Sequence, residues 1–453
     1  MDLKNIHIIY FIGIGGIGMS SLARYFNARG IEIHGYDRIS TSLTEELASE
    51  GICIHFKEDT TAIPENVNLV IYTPAIPEDH KELLYLKSKN IPVKKRSEIL
   101  GLLTKDKFTV AVAGTHGKTT ISSIITHILN HSGVKTNSFI GGFMKNYNSN
   151  FIGYNDAEIF IVEADEFDRS FLTLHPDIAV ISSIDTDHLD IYGSRENLKK
   201  SFETFATQIK DAGELIINNK LTGYFKNDLT IITYVADGIA DYFAEGIQVV
   251  NNMFEYNIHT PDGIIRNIHF RIPGRHNIEN ALAGVAVSVE LGIEYDEIKA
   301  GLETYMGVTR RFDIRYSNNN TIYIDDYAHH PIEISSCINA VKEMYPEKKI
   351  TGVFQPHLYS RTRDLADEFA RSLDQLDEVI LLDIYPAREK PLKGINSDML
   401  LKKIRIPKKM LCSKDDLLPE LEKRDIQVLL TLGAGDIDQL AEPIKNLLKQ
   451  KER

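Results

Sequence analysis

Val110-Ala111-Val112-Ala113-Gly114-Thr115-His116-Gly117-Lys118-Thr119-Thr120 is the stretch of sequence that decides the fold class. The apolar residues at its start predict a buried strand, the glycines predict a tight turn, and apolar residues at helical spacing follow from Ile121 to Leu129. Strand, glycine turn and helix in this order are typical of a loop that binds nucleoside-triphosphate phosphates. Bare N–H groups and a helix N-terminus attract anions there.

We name residues 114–120 the phosphate loop. In such loops the lysine, here Lys118, reaches the outer phosphates and a threonine hydroxyl holds Mg²⁺. The spacing is unusual, because only Thr115 and His116 separate Gly114 from Gly117. The alternative is a purely structural helix cap beside a glycine turn, and the order of strand, turn, Gly-Lys-Thr and helix argues against it.

The composition predicts a multi-domain globular protein that binds small molecules. The 453 residues are too many for one hydrophobic core and predict about three domains. A net charge of −13 without a long basic run disfavours nucleic-acid binding. Three scattered cysteines, and no signal-peptide or membrane-spanning pattern, lead us to expect a cytoplasmic protein that is not inserted in a membrane.

Alternating strand and helix signals divide the chain into three α/β blocks with mostly parallel sheets. We place the boundaries near residues 105 and 310, which gives domains at 1–104, 105–309 and 310–453. Ligands of such sheets bind beyond the carboxyl ends of the strands, so polar residues that follow apolar strands are the candidates for function.

The first block carries a glycine turn, residues 13–18, with Gly13, Gly15, Gly16 and Gly18 between a strand and a helix. Asp37 follows Gly18 by 19 residues, where an acid that binds ribose would lie. The pattern specifies a diphosphate at a helix N-terminus, and a UDP group satisfies it as well as NAD does. The phosphate loop disfavours a dehydrogenase, because hydride transfer needs no triphosphate. A merely structural glycine turn is the other alternative.

In the central block, Glu163 ends one apolar strand and His188 lies just past the next strand along the chain. Because we expect these two strands to be neighbours, Glu163 and His188 are expected to converge. Carboxylates beside a phosphate loop suit Mg²⁺, and a histidine among acids would bind a second metal or orient the nucleotide. The alternative is a set of solvated loop acids with His188 as their counter-charge.

Later in the block, His276, Asn277 and Asn280 lie at a helix start. Asn277 either has a functional role or is simply the helix N-cap. Asn280, one turn further on, would present its amide to adenine. Arg310 and Arg311 either form an exposed linker charge or deliver a guanidinium to a phosphate.

In the third block, two polar clusters end two apolar strands. One contains Asp326, His329 and His330, and the other contains His357 and Arg361. We expect the two strands to be adjacent and the clusters to form a half-site. A zinc pair of His329 and His330 has no third ligand at helpful spacing.

Together these motifs closely resemble the Mur ligase family over essentially the whole chain. The resemblance is carried by the phosphate loop, Gly274-Arg275-His276-Asn277 with Asn280, Asp326-Tyr327-Ala328-His329-His330-Pro331, and Phe354-Gln355-Pro356-His357. It implies a Rossmann-like N-terminal domain, a central P-loop ATPase-like domain and a Rossmann-like C-terminal domain.

The resemblance also implies an activity: ATP- and Mg²⁺-dependent ligation of L-alanine to UDP-N-acetylmuramate through an acyl phosphate, in peptidoglycan precursor synthesis. The opening Gly13-Ile14-Gly15-Gly16-Ile17-Gly18 favours the alanine-adding member over a murein-peptide ligase. A murein-peptide or folylpolyglutamate-like ligase of the same architecture, and an NAD-binding dehydrogenase or nucleotide sensor, remain the alternatives.

The family's residue roles carry over by motif. Catalysis would rest on Lys118, Glu163, His188 and Arg311, and the metal ligands would be Thr119, Glu163 and His188. ATP would be bound by Gly114, Thr115, His116, Gly117, Lys118, Thr119, Thr120, His276, Asn277, Asn280, Arg311 and Asp326. The UDP substrate would be bound by Gly13, Gly15, Gly16, Gly18, Asp37, Thr73 and Arg96, and alanine by His330, His357 and Arg361.

Two positions depart from the family pattern. Leu358 stands where the family often has arginine, which removes one expected contact with the alanine carboxylate. Other family members have a carbamylated lysine after the metal histidine, and Glu203 lies near that spacing and would stand in for it.

Overall fold

The structure, a computed structural model, describes residues 5–185, 192–225, 229–387 and 389–451. Three sheets form, each with helices packed on it, which confirms the three-part α/β architecture. By their contacts the residues group into two compact units: Met1–Gly246 with Tyr256–Ile268 and Glu279–Tyr305, and Ile247–Glu255 with His269–Ile278 and Met306–Arg453. The domain boundaries near residues 105 and 310 stay predictions.

The first sheet has five parallel strands in the order β3-β2-β1-β4-β5. Its strands are β1 (Ile8–Ile12), β2 (Glu32–Tyr36), β3 (Cys53–His55), β4 (Leu69–Tyr72) and β5 (Val93–Lys95), and its helices are α1 (Ile17–Asn27), α2 (Ser42–Ser49), α3 (Lys81–Ser88) and α4 (Arg96–Thr104). The chain leaves the central strand β1 where the strand order reverses, between β2 and β4. The glycine turn therefore lies at the switch point where parallel sheets bind ligands.

The central sheet has ten strands in the order β15-β14-β13-β12-β11-β10-β6-β9-β7-β8. They are β6 (Phe108–Ala113), β7 (Thr136–Met144), β8 (Ser149–Ile152), β9 (Ile159–Glu163), β10 (Ile178–Ile181), β11 (Glu214–Asn218), β12 (Thr230–Val235), β13 (Tyr242–Val250), β14 (Met253–Thr260) and β15 (Gly263–Phe270). The helices of this part of the chain are α5 (Lys118–His131), α6 (Arg195–Ala206), α7 (Arg275–Glu290) and α8 (Tyr295–Thr304).

The expected adjacency of β9 and β10 is wrong. Strand β6, which leads into the phosphate loop, lies between them and pairs in parallel with both. The four residues from Val110 to Ala113 are fully buried, and an apolar strand of this kind is suited to the middle of a parallel sheet. The ends of β9 and β10 therefore flank the phosphate loop instead of meeting each other.

The third sheet has six strands in the order β16-β17-β21-β18-β19-β20, parallel except for the edge pair β16 and β17. They are β16 (Asp313–Ser317), β17 (Ile322–Asp326), β18 (Ile350–Phe354), β19 (Glu378–Leu381), β20 (Lys409–Leu411) and β21 (Val428–Leu432). The helices are α9 (Pro331–Met344), α10 (Tyr359–Asp364), α11 (Ala366–Leu373), α12 (Ser397–Lys403), α13 (Lys414–Glu422) and α14 (Ala441–Lys451).

Here too an expected adjacency is wrong, because β21 lies between β17 and β18. Strand β21 comes about a hundred residues later in the chain, and local pattern gives no sign that it enters between two earlier strands. As to membranes, none of the helices formed by the described residues combines the length and the apolar character needed to cross a bilayer.

Candidate active site

The phosphate loop begins where β6 ends and passes directly into α5. Gly114 and Gly117 have φ angles of +132° and +84°, which residues with a Cβ rarely adopt. A Cβ on Gly117 would lie 2.5 Å from the side-chain oxygen of Asn280, and one on Gly114 would collide with the Ser182 hydroxyl. Backbone conformation and close neighbours therefore both require glycine at these two positions.

The loop is held in shape by the residues that follow β10. The Ser183 hydroxyl accepts the His116 N–H at 3.0 Å and lies 2.9 Å from the Thr115 hydroxyl, while the Ser183 carbonyl accepts the Thr115 N–H. The Ser182 hydroxyl donates to the His116 carbonyl. Sequence reasoning missed both serines, and their place after a strand of the central block was the one available signal.

Lys118 opens α5 with its ammonium held by two acceptors. Nζ lies 2.7 Å from the Gly114 carbonyl and 2.6 Å from Oε2 of Glu166, whose side chain is 1% exposed. Burial disfavours the charge on the lysine, but the carboxylates of Glu166, Asp165 and Glu163 outweigh it and raise the pKa of Lys118. The lysine therefore stays charged, which its predicted role in phosphate binding requires.

Glu163, the last residue of β9, points at the first turn of α5. Its carboxylate accepts from the Thr119 hydroxyl at 3.1 Å, from the Ser122 hydroxyl at 3.1 Å and from the Gly141 N–H. A carboxylate beside a threonine hydroxyl is a set of hard oxygen donors that fits Mg²⁺, which keeps part of its water shell. Within the described residues, no three histidine, cysteine or acidic side chains group as a metal site.

The predicted metal residue His188 lies in 186–191, outside the described residues. Glu203, the suggested substitute for a carbamylated lysine, lies on α6 with its carboxylate 3.8 Å from the Lys199 ammonium. Its proposed role stays a prediction.

In the first sheet, the three side chains predicted to accompany the glycine turn all contact it. Asp37 accepts the Gly15 N–H at 2.8 Å. A Cβ on Gly13 would lie 2.6 Å from the Thr73 methyl group, and one on Gly18 would lie 3.0 Å from an Arg96 guanidinium nitrogen. One oxygen of Asp37 thus shapes the turn itself.

Arg96 also approaches the carboxylates of the central sheet. Its guanidinium lies 3.9 Å from Oδ2 of Asp165, and a small cavity is lined by Arg96, Ser97, Glu163, Asp165 and Thr173 among others. The first and central sheets therefore present polar groups to a common space within the first compact unit.

The residues at the start of α7 have different surroundings. The helix begins at Arg275, so Asn277 lies inside it and is not the N-cap; its side-chain nitrogen donates to the Pro273 carbonyl at 2.6 Å. Burial lowers the pKa of His276 to about 4, which keeps the imidazole neutral. The amide oxygen of Asn280 lies close to Gly117 of the phosphate loop, and its predicted contact with adenine stays a prediction.

The two neighbouring arginines are distinguished by their contacts. Arg310 pairs with the buried Asp325 at 3.2 Å and donates to the Gly433 carbonyl, so it is part of the framework. Arg311 carries its guanidinium 5.0 Å from the centre of the Tyr327 ring and is only partly buried. Arg311 is thus the better candidate for a phosphate contact.

Asp326, predicted to bind ribose, already accepts two backbone N–H groups, from Phe312 at 2.6 Å and from Ala328 at 2.7 Å. Burial raises the pKa of Asp326 to about 6, against the effect of these hydrogen bonds and of Arg311. The carboxylate therefore organises the chain around Arg311, and its ribose contact stays a prediction.

The predicted alanine residues come from two elements of the third sheet. His330 caps α9, where Glu333 accepts the N–H groups of His329 and His330. The ring of His329 lies 6.0 Å from that of His357, although β21 separates their strands. The two polar clusters therefore do approach each other across an intervening strand.

Around His357 the structure adds residues that sequence reasoning missed. The His357 ring stacks on Tyr385 at 5.8 Å, and the Glu389 carboxylate accepts the Ser360 N–H at 3.0 Å. Leu358 has a φ of +71°, an unfavourable angle for leucine, immediately before α10 and Arg361. Tyr385 and Glu389 follow β19 in an irregular segment without a recognisable motif.

Comparisons with known proteins agree with this arrangement. Residues 8–108 match the family model described as Mur ligase family, catalytic domain; residues 112–288 match the Mur ligase middle domain; and residues 310–435 match the Mur ligase, glutamate ligase domain. The UDP-N-acetylmuramate–L-alanine ligase of Flavobacterium psychrophilum is 48% identical over 455 residues, which is 100% of both chains.

Solved structures give the same result. The UDP-N-acetylmuramate–alanine ligase of Thermotoga maritima superposes with a TM-score of 0.82 at 28% identity, over 98% of this chain and 99% of that one. The murein peptide ligase of Psychrobacter arcticus, at 21% identity and 98% coverage of both chains, has a TM-score of 0.72 and shares the fold. The chain therefore belongs to the Mur ligase family.

Proposed function

We infer that the chain is an ATP-dependent ligase that adds L-alanine to UDP-N-acetylmuramate during peptidoglycan precursor synthesis. The observation that carries this inference is identity of 44% to 48% over essentially the full length to ligases of that name. The phosphate loop, with Lys118 charged and Glu163 beside Thr119, supplies the chemistry that such a ligase needs.

The reaction requires activation of a carboxylate. A carboxylate resists attack by an amine because its leaving group would be oxide. Transfer of the γ-phosphoryl group of ATP to a carboxylate oxygen gives an acyl phosphate and ADP. The amine of alanine then attacks the carbonyl carbon, loses a proton and expels inorganic phosphate, so that an amide bond replaces the acyl–oxygen bond.

Catalysis of phosphoryl transfer rests on alignment and on neutralising charge. We propose that Lys118 and the N–H groups of the phosphate loop bind the phosphates of ATP, and that Arg311 provides a second cation. Thr119 and Glu163 would hold Mg²⁺, which would neutralise phosphate charge. Asn280, whose side chain lies close to Gly117, would contact the nucleotide from the loop side.

For the other substrates we propose two regions. The glycine turn, with Asp37, Thr73 and Arg96 in contact with it, would bind the UDP group through the N-terminus of α1. His330, His357 and Arg361 would bind alanine. The three free cysteines are consistent with action in the cytoplasm.

The test is phosphate release from ATP by the purified protein. Release should require UDP-N-acetylmuramate and L-alanine together, and should yield the amide by mass spectrometry. Turnover with L-alanyl peptides but not with alanine would instead identify a murein-peptide ligase. Reduction of NAD without phosphate release would overturn the ligase assignment.

A further inference from the structure

One buried carboxylate has no part in the mechanism so far. Glu166 is 1% exposed, yet its Oε2 lies 2.6 Å from Nζ of Lys118, the residue that binds the ATP phosphates in the proposed function. A buried carboxylate beside the phosphate-binding lysine would repel the phosphates if it acted alone. Its position therefore requires an explanation.

The hydrogen bonds of Lys118 supply one. An ammonium has three N–H donors, and among the described residues two of them are taken, by the Gly114 carbonyl at 2.7 Å and by Glu166. Two fixed acceptors determine the rotation of the ammonium about the Cε–Nζ bond. The direction of the third N–H, the one available to a phosphate oxygen, is then determined as well.

The backbone of Glu166 is fixed by hydrogen bonds. Its backbone carbonyl accepts the hydroxyl of the buried Tyr192 at 2.6 Å and the Arg169 N–H at 3.0 Å. It immediately precedes the 3₁₀ turn Phe167–Thr173, in which the ring of Phe171 stacks on that of Phe205 at 5.1 Å. These contacts fix the backbone from which the Glu166 side chain extends, and burial restricts the orientations open to its carboxylate.

The neighbouring carboxylate has a separate role. Glu163, three residues earlier, accepts hydrogen bonds from Thr119, Ser122 and Gly141, and its charge also contributes to the raised pKa of Lys118. At the start of α5, Glu163 thus contacts the hydroxyl proposed to hold Mg²⁺, and Glu166 accepts a hydrogen bond from the lysine.

We propose that Glu166 is a positioning residue that directs the Lys118 ammonium toward the transferred phosphoryl group of ATP. The proposal rests on the proposed function for its catalytic consequence, and on the Lys118–Glu166 contact alone for its effect on nucleotide binding. The two can therefore be tested separately.

The catalytic arm compares Glu166→Ala and Glu166→Gln with the wild-type protein. Glu166→Ala should lower kcat about 100-fold while the KM for ATP changes less than about threefold, because the misdirected lysine loses contact mainly in the transition state. Glu166→Gln keeps an accepting oxygen and should recover most of kcat. Glu158→Gln, an exposed acid just before β9, is the matched control and should behave as wild type.

The binding arm measures the Kd of ATP by calorimetry in a double-mutant cycle and needs no turnover. In the Lys118→Ala protein, Glu166 stays buried but has lost the adjacent ammonium, so its negative charge repels phosphate. Adding Glu166→Ala in that background should therefore strengthen ATP binding by about tenfold, whereas the same change beside an intact lysine should alter Kd less than about threefold.

Equal effects of Glu166→Ala in the two backgrounds would overturn the proposal, as would a kcat within about threefold of wild type or a KM for ATP that rises as much as kcat falls. A wild-type protein without ligase activity would refute the proposed function. The double-mutant cycle would still test whether Glu166 affects ATP binding through Lys118. Melting temperatures of all variants identify any loss that is only structural.

Discussion

At the scale of single residues, the active-site acids and cations form specific pairs. Lys118 pairs with Glu166 and Arg310 pairs with Asp325, while Glu163 accepts hydrogen bonds from the first turn of α5. Such a pair changes what each substitution tests. Removal of one member leaves the other charge buried without that partner, which is unfavourable.

The first prediction is that Lys118 is required for ligase activity. Lys118→Ala should abolish amide formation, since we propose that its ammonium neutralises the ATP phosphates. It should also lower the melting temperature, because the buried Glu166 loses its ion pair with Lys118. Product formation and circular dichroism would be measured together. Near-wild-type turnover in a folded variant would remove Lys118 from the mechanism.

Glu163→Gln should weaken Mg²⁺-dependent activity by orders of magnitude, because an amide oxygen is a much poorer ligand for Mg²⁺ than a carboxylate. The measurement is the Mg²⁺ concentration that gives half-maximal rate. Ser122→Ala is the control, as it removes one donor to Glu163 and leaves Thr119 in place. An unchanged Mg²⁺ dependence in Glu163→Gln would show that Glu163 is only a structural acid.

Arg361→Ala should mainly raise the KM for alanine, roughly 10- to 100-fold, because a guanidinium matches the two carboxylate oxygens and Leu358 cannot share that contact. Steady-state kinetics with alanine and ATP varied in turn would measure it. A change confined to the KM for ATP would contradict the assignment. Small side chains are discriminated weakly, about 1–3 kcal/mol per methylene, so serine and glycine should serve as slow substrates.

At the scale of elements, helix α5 joins the phosphate loop to the rest of its unit through polar contacts. His127 on α5 is 6% exposed; its two ring nitrogens lie 3.0 Å from the Tyr147 hydroxyl and 3.0 Å from the Thr304 hydroxyl at the end of α8. Ser123, one turn earlier, lies 2.6 Å from the Tyr305 hydroxyl. The helix that carries Lys118 is thus fixed along its length.

The His127 contacts predict a pH-dependent stability. Burial lowers the pKa of His127 to about 4, from an ordinary value near 6.5, so the folded protein favours the neutral ring. The contribution of the neutral His127 ring to the free energy of unfolding is fully present above pH 6.5 and is lost as the pH falls toward 4. Melting temperatures at pH 7 and pH 5 should therefore differ more for wild type than for His127→Gln. The exposed His175→Gln should match wild type; identical pH dependence in all three proteins would exclude His127 as a source.

At the scale of the whole molecule, the presence of a phosphate loop in the same chain determines which diphosphate ligand we expect at the glycine turn. We predict that the intact protein binds UDP-N-acetylmuramate and not NAD, because the turn accepts any diphosphate and the rest of the chain is an ATP-driven ligase. Calorimetry with each ligand decides: tight NAD binding without affinity for UDP-N-acetylmuramate would refute the prediction.

By itself the sequence determined the fold class, the family and most of the candidate residues. Gly114, Gly117 and Lys118 could be predicted from sequence because a phosphate loop is local: its backbone conformation, its helix start and its cation all come from seven consecutive residues. The glycine turn was identified for the same reason, and Thr73 and Arg96 through family resemblance.

Only the tertiary structure decided which residues meet. Insertion of β6 between β9 and β10, and of β21 between β17 and β18, depends on packing between segments far apart in the chain, and local periodicity carries no information about it. The same holds for Glu166 with Lys118, 48 residues apart, and for Arg310 with Asp325 instead of Arg311. Short motifs specify chemistry, whereas pairing across the sheets is fixed by burial and hydrogen bonding in the folded chain.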